Sequence, residues 1–557
     1  MAIETLFRKL KPLDHPTTRY PGFKPGQRIL KSGTVIQPGK LALPCDILLD
    51  QDVPVTLRDG TIIYTDIFRP VGINDLPAVV AWSSYGKQEG TSLLDDIPGR
   101  QGVPLSATSG LEKWEGPDPA YWCAHGYAVI NPDARGAYMS EGDLYCWGAQ
   151  EGQDGYDLIE WAAEQNWCNG KVGLAGNSWL AIAQWFIAAE QPPHLAAIAP
   201  WEGFSDYYQE SSFRGGIPDF AFFNKILSEF SGNGNVEDVV AMAEKYPLMN
   251  EYWQDKSAKL ENVTIPAYVV ASWTNGAHVP GTFGAYQRLA SSEKWLRIHL
   301  SHEWPDFYSH QDDLRLFFDH YLKGKKNEWE KTPPVKVSVY DPGGEDVIDR
   351  SEDVFPLQQT QYEKLYLDAG MMKLGNTLPA ETSACSYNTD KEGQAVFTYT
   401  CTEDTELLGY LKLHLWVEAR ESTDMDLFVV VQKLDSDGSL MVPKSYEPGF
   451  SGPHGRLRVS HRALDARRSI ESQPVQSHFA EALLSPGEVV PVEISISPIG
   501  MRWHAGQQLR LIIAGHNPSM LGFDWAVQPP TRNKGEHILH TGDGFDSYLL
   551  IPVIPVS

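Results

Sequence analysis

Long apolar runs, paired cysteines and an excess of positive charge are all missing from this 557-residue chain. No stretch reaches the roughly 20 apolar residues needed to cross a bilayer. The N-terminal MAIETLFRKLKPLDHP lacks the apolar core of a secretory leader, so a cytoplasmic location is the expectation. The six cysteines (Cys45, Cys123, Cys146, Cys168, Cys385 and Cys401) are too scattered for a disulfide framework and show neither Cys-x-x-Cys nor zinc spacing. They read as small buried thiols. With 46 Lys and Arg against 72 Asp and Glu, the formal charge of −26 argues against nucleic acid or an anionic membrane as partner. No metal or cofactor is expected. His537 and His540 lack a third ligand, and Asp435-Ser-Asp437-Gly438 has no closing glutamate for a calcium loop, which makes it a hairpin turn.

What the chain does have is apolar mass. Hydrophobic residues make up 42% and tryptophan occurs 17 times. Single cores stop growing near about 250–300 residues, so more than one domain is expected. Residues 1–50 are proline-rich and read as an irregular arm. From residue 51 to about 200, strand-like runs (61–68, 77–82, 128–131 and 172–175) alternate with helical patterns such as 156–164, in which Leu158, Ile159, Trp161 and Ala162 share a side. Alternation of this kind predicts an α/β domain with a largely parallel sheet. Residues 201–262 are aromatic and helix-like, an insertion before the strand at 267–272, and the α/β pattern continues over 263–332. Beyond Thr332-Pro333-Pro334 the apolar period becomes two, as in 411–417, 490–496 and 509–513, with another strand at 548–556. Residues 333–557 therefore read as a β-sandwich or jelly roll.

One segment carries candidate chemistry. Lys171–Ala175 reads as a buried strand and Leu180–Glu190 as a helix, with Gly176-Asn177-Ser178-Trp179 as a sharp turn between them. This is the setting of a nucleophile elbow, although Leu180 stands where G-x-S-x-G has its second glycine. A base and an orienting group must then reach Ser178. Loops after two later strands offer them: Ser272-Trp-Thr-Asn275-Gly276 and Ser301-His302-Glu303-Trp304. By position alone, His302 is no better than His278, His299 or His310.

Several blocks, taken in order, resemble the cocaine-esterase-like serine hydrolases, the group that includes α-amino acid ester hydrolases and X-Pro dipeptidyl peptidases. They are Ser84-Tyr85-Gly86-Lys87, Asp133-Ala-Arg135-Gly136 running on to Ser140-Glu141-Gly142, the segment Glu164–Gly173 leading into the elbow, Phe317-Phe-Asp319-His-Tyr-Leu322-Lys-Gly324, and Gly455-Arg-Leu-Arg458-Val-Ser-His461-Arg462. The resemblance spans roughly residues 50 to 557. It implies an α/β-hydrolase domain (51–200 and 263–332), a helical cap (201–262) and a C-terminal jelly roll. It further implies Ser178 as nucleophile, His302 as base, and an oxyanion hole made of the Tyr85 hydroxyl and the Trp179 N–H. Aromatics of the cap (Trp201, Phe204, Tyr207, Tyr208, Phe220 and Phe222) would shape an apolar acyl pocket.

Two departures follow. Where the family has W-[YF]-D, this chain has Trp273-Thr274-Asn275, so Asn275 stands in the place of the acid. The histidine block is about one residue short. Asparagine can orient an imidazole but cannot stabilise its cation by charge, and Glu303, Asp306, Asp312 and Asp313 lie near enough in sequence to replace it. The expected function is a serine hydrolase cleaving a small ester or amide through an acyl-enzyme. An acyltransferase or lyase-like relative, an X-Pro peptidase using Glu202, Asp206 and Glu210 to hold an amino terminus, and a non-catalytic binding protein stay open, as does homo-oligomerisation.

Overall fold

The architecture was analysed in a computed structural model that describes residues 3–87, 90, 92–523 and 525–555. It contains an α/β-hydrolase domain, a helical cap and a C-terminal all-β jelly roll. An 11-stranded sheet forms the first domain. At its centre Leu76–Val80 pairs in parallel with Ala128–Asp133 on one side and Cys168–Asn177 on the other. Leu195–Trp201, Ala267–Ser272, Lys294–His299 and Val335–Val339 continue the parallel array. Antiparallel strands close both margins, Ile62–Pro70, Ile47–Thr56 and Gly26–Leu30 at one and Val347–Glu352 at the other. The central strands are buried on both faces, which explains why they read as unbroken apolar runs rather than alternating ones.

Two boundaries differ from the sequence reading. Residues 1–50 are not wholly irregular: Phe7–Lys9 pairs with Asn235–Glu237 of the cap, and Gly26–Leu30 is an edge strand of the main sheet. At the other boundary the sheet runs through Val347–Glu352, so the jelly roll starts after the Pro333-Pro334 step. Neither edge strand alternates apolar and polar residues, because solvent reaches both of its faces.

The helix Ala149–Ala163 packs on the sheet and is clamped by Arg135, whose guanidinium donates to both carboxylate oxygens of Asp154 at 2.7 Å. This gives the Asp-Ala-Arg-Gly block a structural task. The jelly roll is a 12-stranded sheet that curls until Tyr548–Ile554 pairs with Thr405–Ala419. Within the cap, Phe204, Tyr207 and Tyr208 are fully buried core. Among the described residues, no helix is long and apolar enough to cross a membrane. Val556, at the end of the last expected strand, lies outside the described residues.

Candidate active site

The strand Cys168–Asn177 and the helix Trp179–Ala189 meet at Ser178, whose backbone takes φ 52° and ψ −117°. A non-glycine residue is strained there, and the strain lifts the side chain clear of the sheet. The surroundings hold it in place: Ser178 N–H donates to Glu202 O at 3.1 Å, and Ile182 N–H donates to Ser178 O at 2.9 Å. The missing second glycine is accommodated by the first. A Cβ on Gly176 would lie 2.5 Å from Leu180, so the leucine occupies space that the glycine leaves bare.

The side chain facing the nucleophile is His278, with Nε2 3.0 Å from Ser178 Oγ. It stands at the N-terminus of the helix Val279–Arg288, where Asn275 O accepts the His278 and Val279 N–H groups, both at 2.9 Å. Burial pushes the imidazole down to about 4, with Glu202 opposing the shift, so the ring is neutral at pH 7. A neutral ring that accepts at Nε2 carries its proton on Nδ1, and Nδ1 meets no hydrogen-bond partner among the described residues. Serine and histidine therefore form a dyad without an orienting acid.

The structure does not bring His302 or Asn275 to the nucleophile. His302 lines the same cavity, but its Nδ1 lies 3.1 Å from Glu447 of the jelly roll. Asn275 donates its side-chain amide to Glu303 Oε2 at 2.6 Å, while its side-chain oxygen accepts from Ala277 N–H at 3.3 Å and its backbone carbonyl serves the turn that carries the base. His299 is bound to buried Glu202 at 2.7 Å, and His310 to Asp306. Of the carboxylates offered as replacements, Asp306 is committed to Arg297 and Asp312 to Tyr121 and Arg315. Asp313 pairs with Lys336 at 3.6 Å. His278 was one of four equivalent histidines in the sequence. The one signal that could have singled it out is its place just ahead of Val279-Pro280, where a helix starts close after a strand end.

Two donors face the serine. Buried Tyr85 directs its hydroxyl at Ser178, and burial with the nearby Glu115 and Glu303 carboxyls raises it well above its usual value, so it keeps its proton. Its loop is pinned from below. Lys113 Nζ donates to the carbonyls of Ala81, Ser83 and Pro132, while Lys87 sits among Asp52, Asp66 and Asp133. The Trp179 N–H opens the helix after the elbow, and its indole is anchored to Glu151 at 3.1 Å. That N–H donates to the Glu115 carboxyl, which the sequence did not mark and which an oxyanion would displace. Burial raises Glu115 and Glu303 well above the carboxylate range, with Glu202 adding repulsion.

Replacing Asn275 with Asp is expected not to raise activity, because its side chain points at Glu303 and not at the imidazole. The change removes a donor and sets two carboxyls together. A destabilisation of about 1–3 kcal/mol is expected, read as a lower denaturation midpoint with kcat/KM unchanged or reduced.

Ser178, Tyr85 and His278 open onto a cavity of about 1190 Å³ lined by all three units, including Phe222 and Phe223 of the cap and Trp525 of the jelly roll. Among the aromatics assigned to the pocket, Phe222 lines it. Trp201, Tyr207 and Tyr208 are core, and Phe204 backs the His278 ring at 6.1 Å.

A CocE/NonD family hydrolase from Staphylococcus aureus has this fold with a TM-score of 0.86 and 34% identity, over 95% of this chain and 97% of that one. The chain belongs to the CocE/NonD hydrolase family. It is a serine hydrolase. Residues 59–238 of this CocE/NonD hydrolase match the X-Pro dipeptidyl-peptidase (S15 family) model, and residues 327–550 match the X-Pro dipeptidyl-peptidase C-terminal non-catalytic domain. A putative serine esterase of Mycobacterium bovis is 22% identical over 84% of this chain and 90% of its own length. Cocaine esterase from Rhodococcus is 25% identical over 57% of this chain and 62% of its own.

Proposed function

We propose that the protein is a carboxylic ester hydrolase that cleaves a small-molecule ester through an acyl-enzyme on Ser178. The observation that carries this reading is the 3.0 Å contact between Ser178 Oγ and His278 Nε2 at the wall of an aromatic-lined cavity. Ser178 Oγ attacks the carbonyl carbon as its proton passes to Nε2. The developing oxyanion is received by the Tyr85 hydroxyl and the Trp179 N–H. His278 returns the proton to the departing alcohol, then draws a proton from the water that frees the acid and restores Ser178.

An ester suits this machinery better than a peptide. A base held at about 4 with no acid behind it activates serine weakly, and the amine of an amide is a poorer leaving group than an alcohol. The acids expected to hold a peptide amino terminus are also spent. Glu202 binds His299 and Ser272, Glu210 binds Arg288 and the Ser205 and Asp206 N–H groups, and Asp206 pairs with Arg468. Initial rates on short-chain p-nitrophenyl esters and on an X-Pro p-nitroanilide should differ by about 10²-fold or more in favour of the esters. Equal or greater turnover of the anilide would overturn the assignment.

A further inference from the structure

The chain is strongly acidic, yet the lining of the catalytic cavity gathers Arg214, Arg456, Lys444 and His454. Two of these come from the cap and the jelly roll pressed tightly together. Gly215 has φ +59°, and a Cβ there would lie 1.9 Å from the Arg456 carbonyl oxygen, so only glycine lets the cap turn rest on the strand His454–Arg458. Close contact sets Arg214 beside Arg456.

The arrangement leaves positive charge and donors unspent. Arg214 donates Nη1 to Gly276 O at 3.1 Å and has Nη2 3.3 Å from His454 Nε2, but no carboxylate lies within ion-pair distance of it among the described residues. Arg456 gives Nη1 to Asp219 at 2.8 Å, while its buried Nε has no partner. His454 Nε2 accepts from Arg214, and the ring is further tied to the backbone of Gly452. Burial and the two arginines hold that ring well below its usual value, so it is neutral. Two guanidiniums face Asp219 and, farther off, Glu210, which is itself paired with Arg288, so the group carries one positive charge in excess in a partly desolvated wall, where an unmatched ion is costly. Planar forks of this kind match a carboxylate. One net charge also matches a monoanion better than a phosphate dianion.

We propose that Arg214 and Arg456 form an anion subsite of the catalytic cavity that holds a carboxylate of the substrate. The substrate is then an ester that carries a free carboxylate away from the scissile carbonyl. Seating is coupled to the chemistry, since Arg214 also binds the carbonyl of Gly276, two residues before the base His278. The catalytic consequence rests on the ester-hydrolase reading, whereas binding of the anion does not.

The test compares mono-p-nitrophenyl esters of straight-chain dicarboxylic acids, from succinate to suberate, with neutral p-nitrophenyl esters of matched length. At the best length the carboxylated ester should be preferred at least about tenfold in kcat/KM. Arg214→Met and Arg456→Gln should each collapse that ratio toward one, and because the ratio is read within one variant, a general loss of activity does not mimic the result. Binding is measured separately in Ser178→Ala protein by calorimetry with the free dicarboxylate: it should be detectable and lost with Arg214→Met. Neutral esters preferred at every length, or a ratio unmoved by both substitutions, would overturn the subsite. If no ester is turned over while the dicarboxylate still binds through Arg214, the hydrolase reading fails and the subsite stands.

Discussion

His278→Gln should lower kcat by about 10²–10³-fold, whereas His302→Gln should cost no more than about tenfold. Proton transfer by a positioned side chain contributes roughly 10²–10⁴-fold, and a base held as low as His278 stays in the lower part of that range. Among the histidines of the described residues, His278 alone reaches Ser178 Oγ, while His302 is engaged with Glu447. The pH profile separates the two independently. Above about 4 the His278 Nε2 is free to accept the serine proton, and below it the ring is protonated and cannot. The acid limb of kcat/KM should therefore fall near pH 4, with the rate level from about 5 to 7. A base with an ordinary imidazole value would place that limb near ~6.5. A large loss in His302→Gln with a limb near 6.5 would show that the loop 301–303 supplies the base in the working enzyme.

Ser178→Ala should remove about 10⁴–10⁶ of kcat on any ester the wild type cleaves, with KM nearly unchanged, because the hydroxyl acts in bond-making and contributes little to binding. The same chemistry predicts a trapped intermediate. Quenching in acid during turnover of p-nitrophenyl acetate should leave an acetyl group, by mass, on the peptide that contains Ser178. Turnover surviving in the alanine variant, or an adduct at another residue, would remove Ser178 from the mechanism. Since the base is weak and the ring lacks an orienting acid, removing both Ser178 and His278 should cost little more than removing Ser178 alone, as expected for residues that act as a unit.

Much of this was legible in the chain. The period-two pattern at 411–417 and 490–496 marked strands of the jelly roll, because one face of each is buried and the other is not. The strand–turn–helix around Ser178 could be read from apolar runs on either side of Gly176-Asn177, since such an elbow is a local structure. The edge strands were not legible. Gly26–Leu30 and Val347–Glu352 are held by pairing with neighbours remote in sequence, and carry no periodicity of their own. Asn275 was misread for a similar reason. Its place in a motif is a linear property, while the direction of its side chain depends on Glu303, 28 residues on.

The sequence pattern by itself determined an α/β domain with a largely parallel sheet, an insertion within that domain, a β-sandwich or jelly roll after it and a serine at a strand–helix turn. All of these follow from short-range patterns of burial and turn-forming residues, which one strand or helix expresses alone. The α/β-hydrolase fold was implied by the family resemblance. Tertiary structure decided the partners. His278 stands at 3.0 Å from Ser178 only because the strand Ala267–Ser272 lies next but one to the elbow strand, beyond Leu195–Trp201, and its following helix begins at that edge. Arg214 and Arg456 meet, 242 positions apart, only because a glycine lets the cap rest on a jelly-roll strand. Hydrogen bonds and charge act over a few ångströms, so the residues that complete this site are chosen by how the sheets and cap pack, a distance the linear order does not contain.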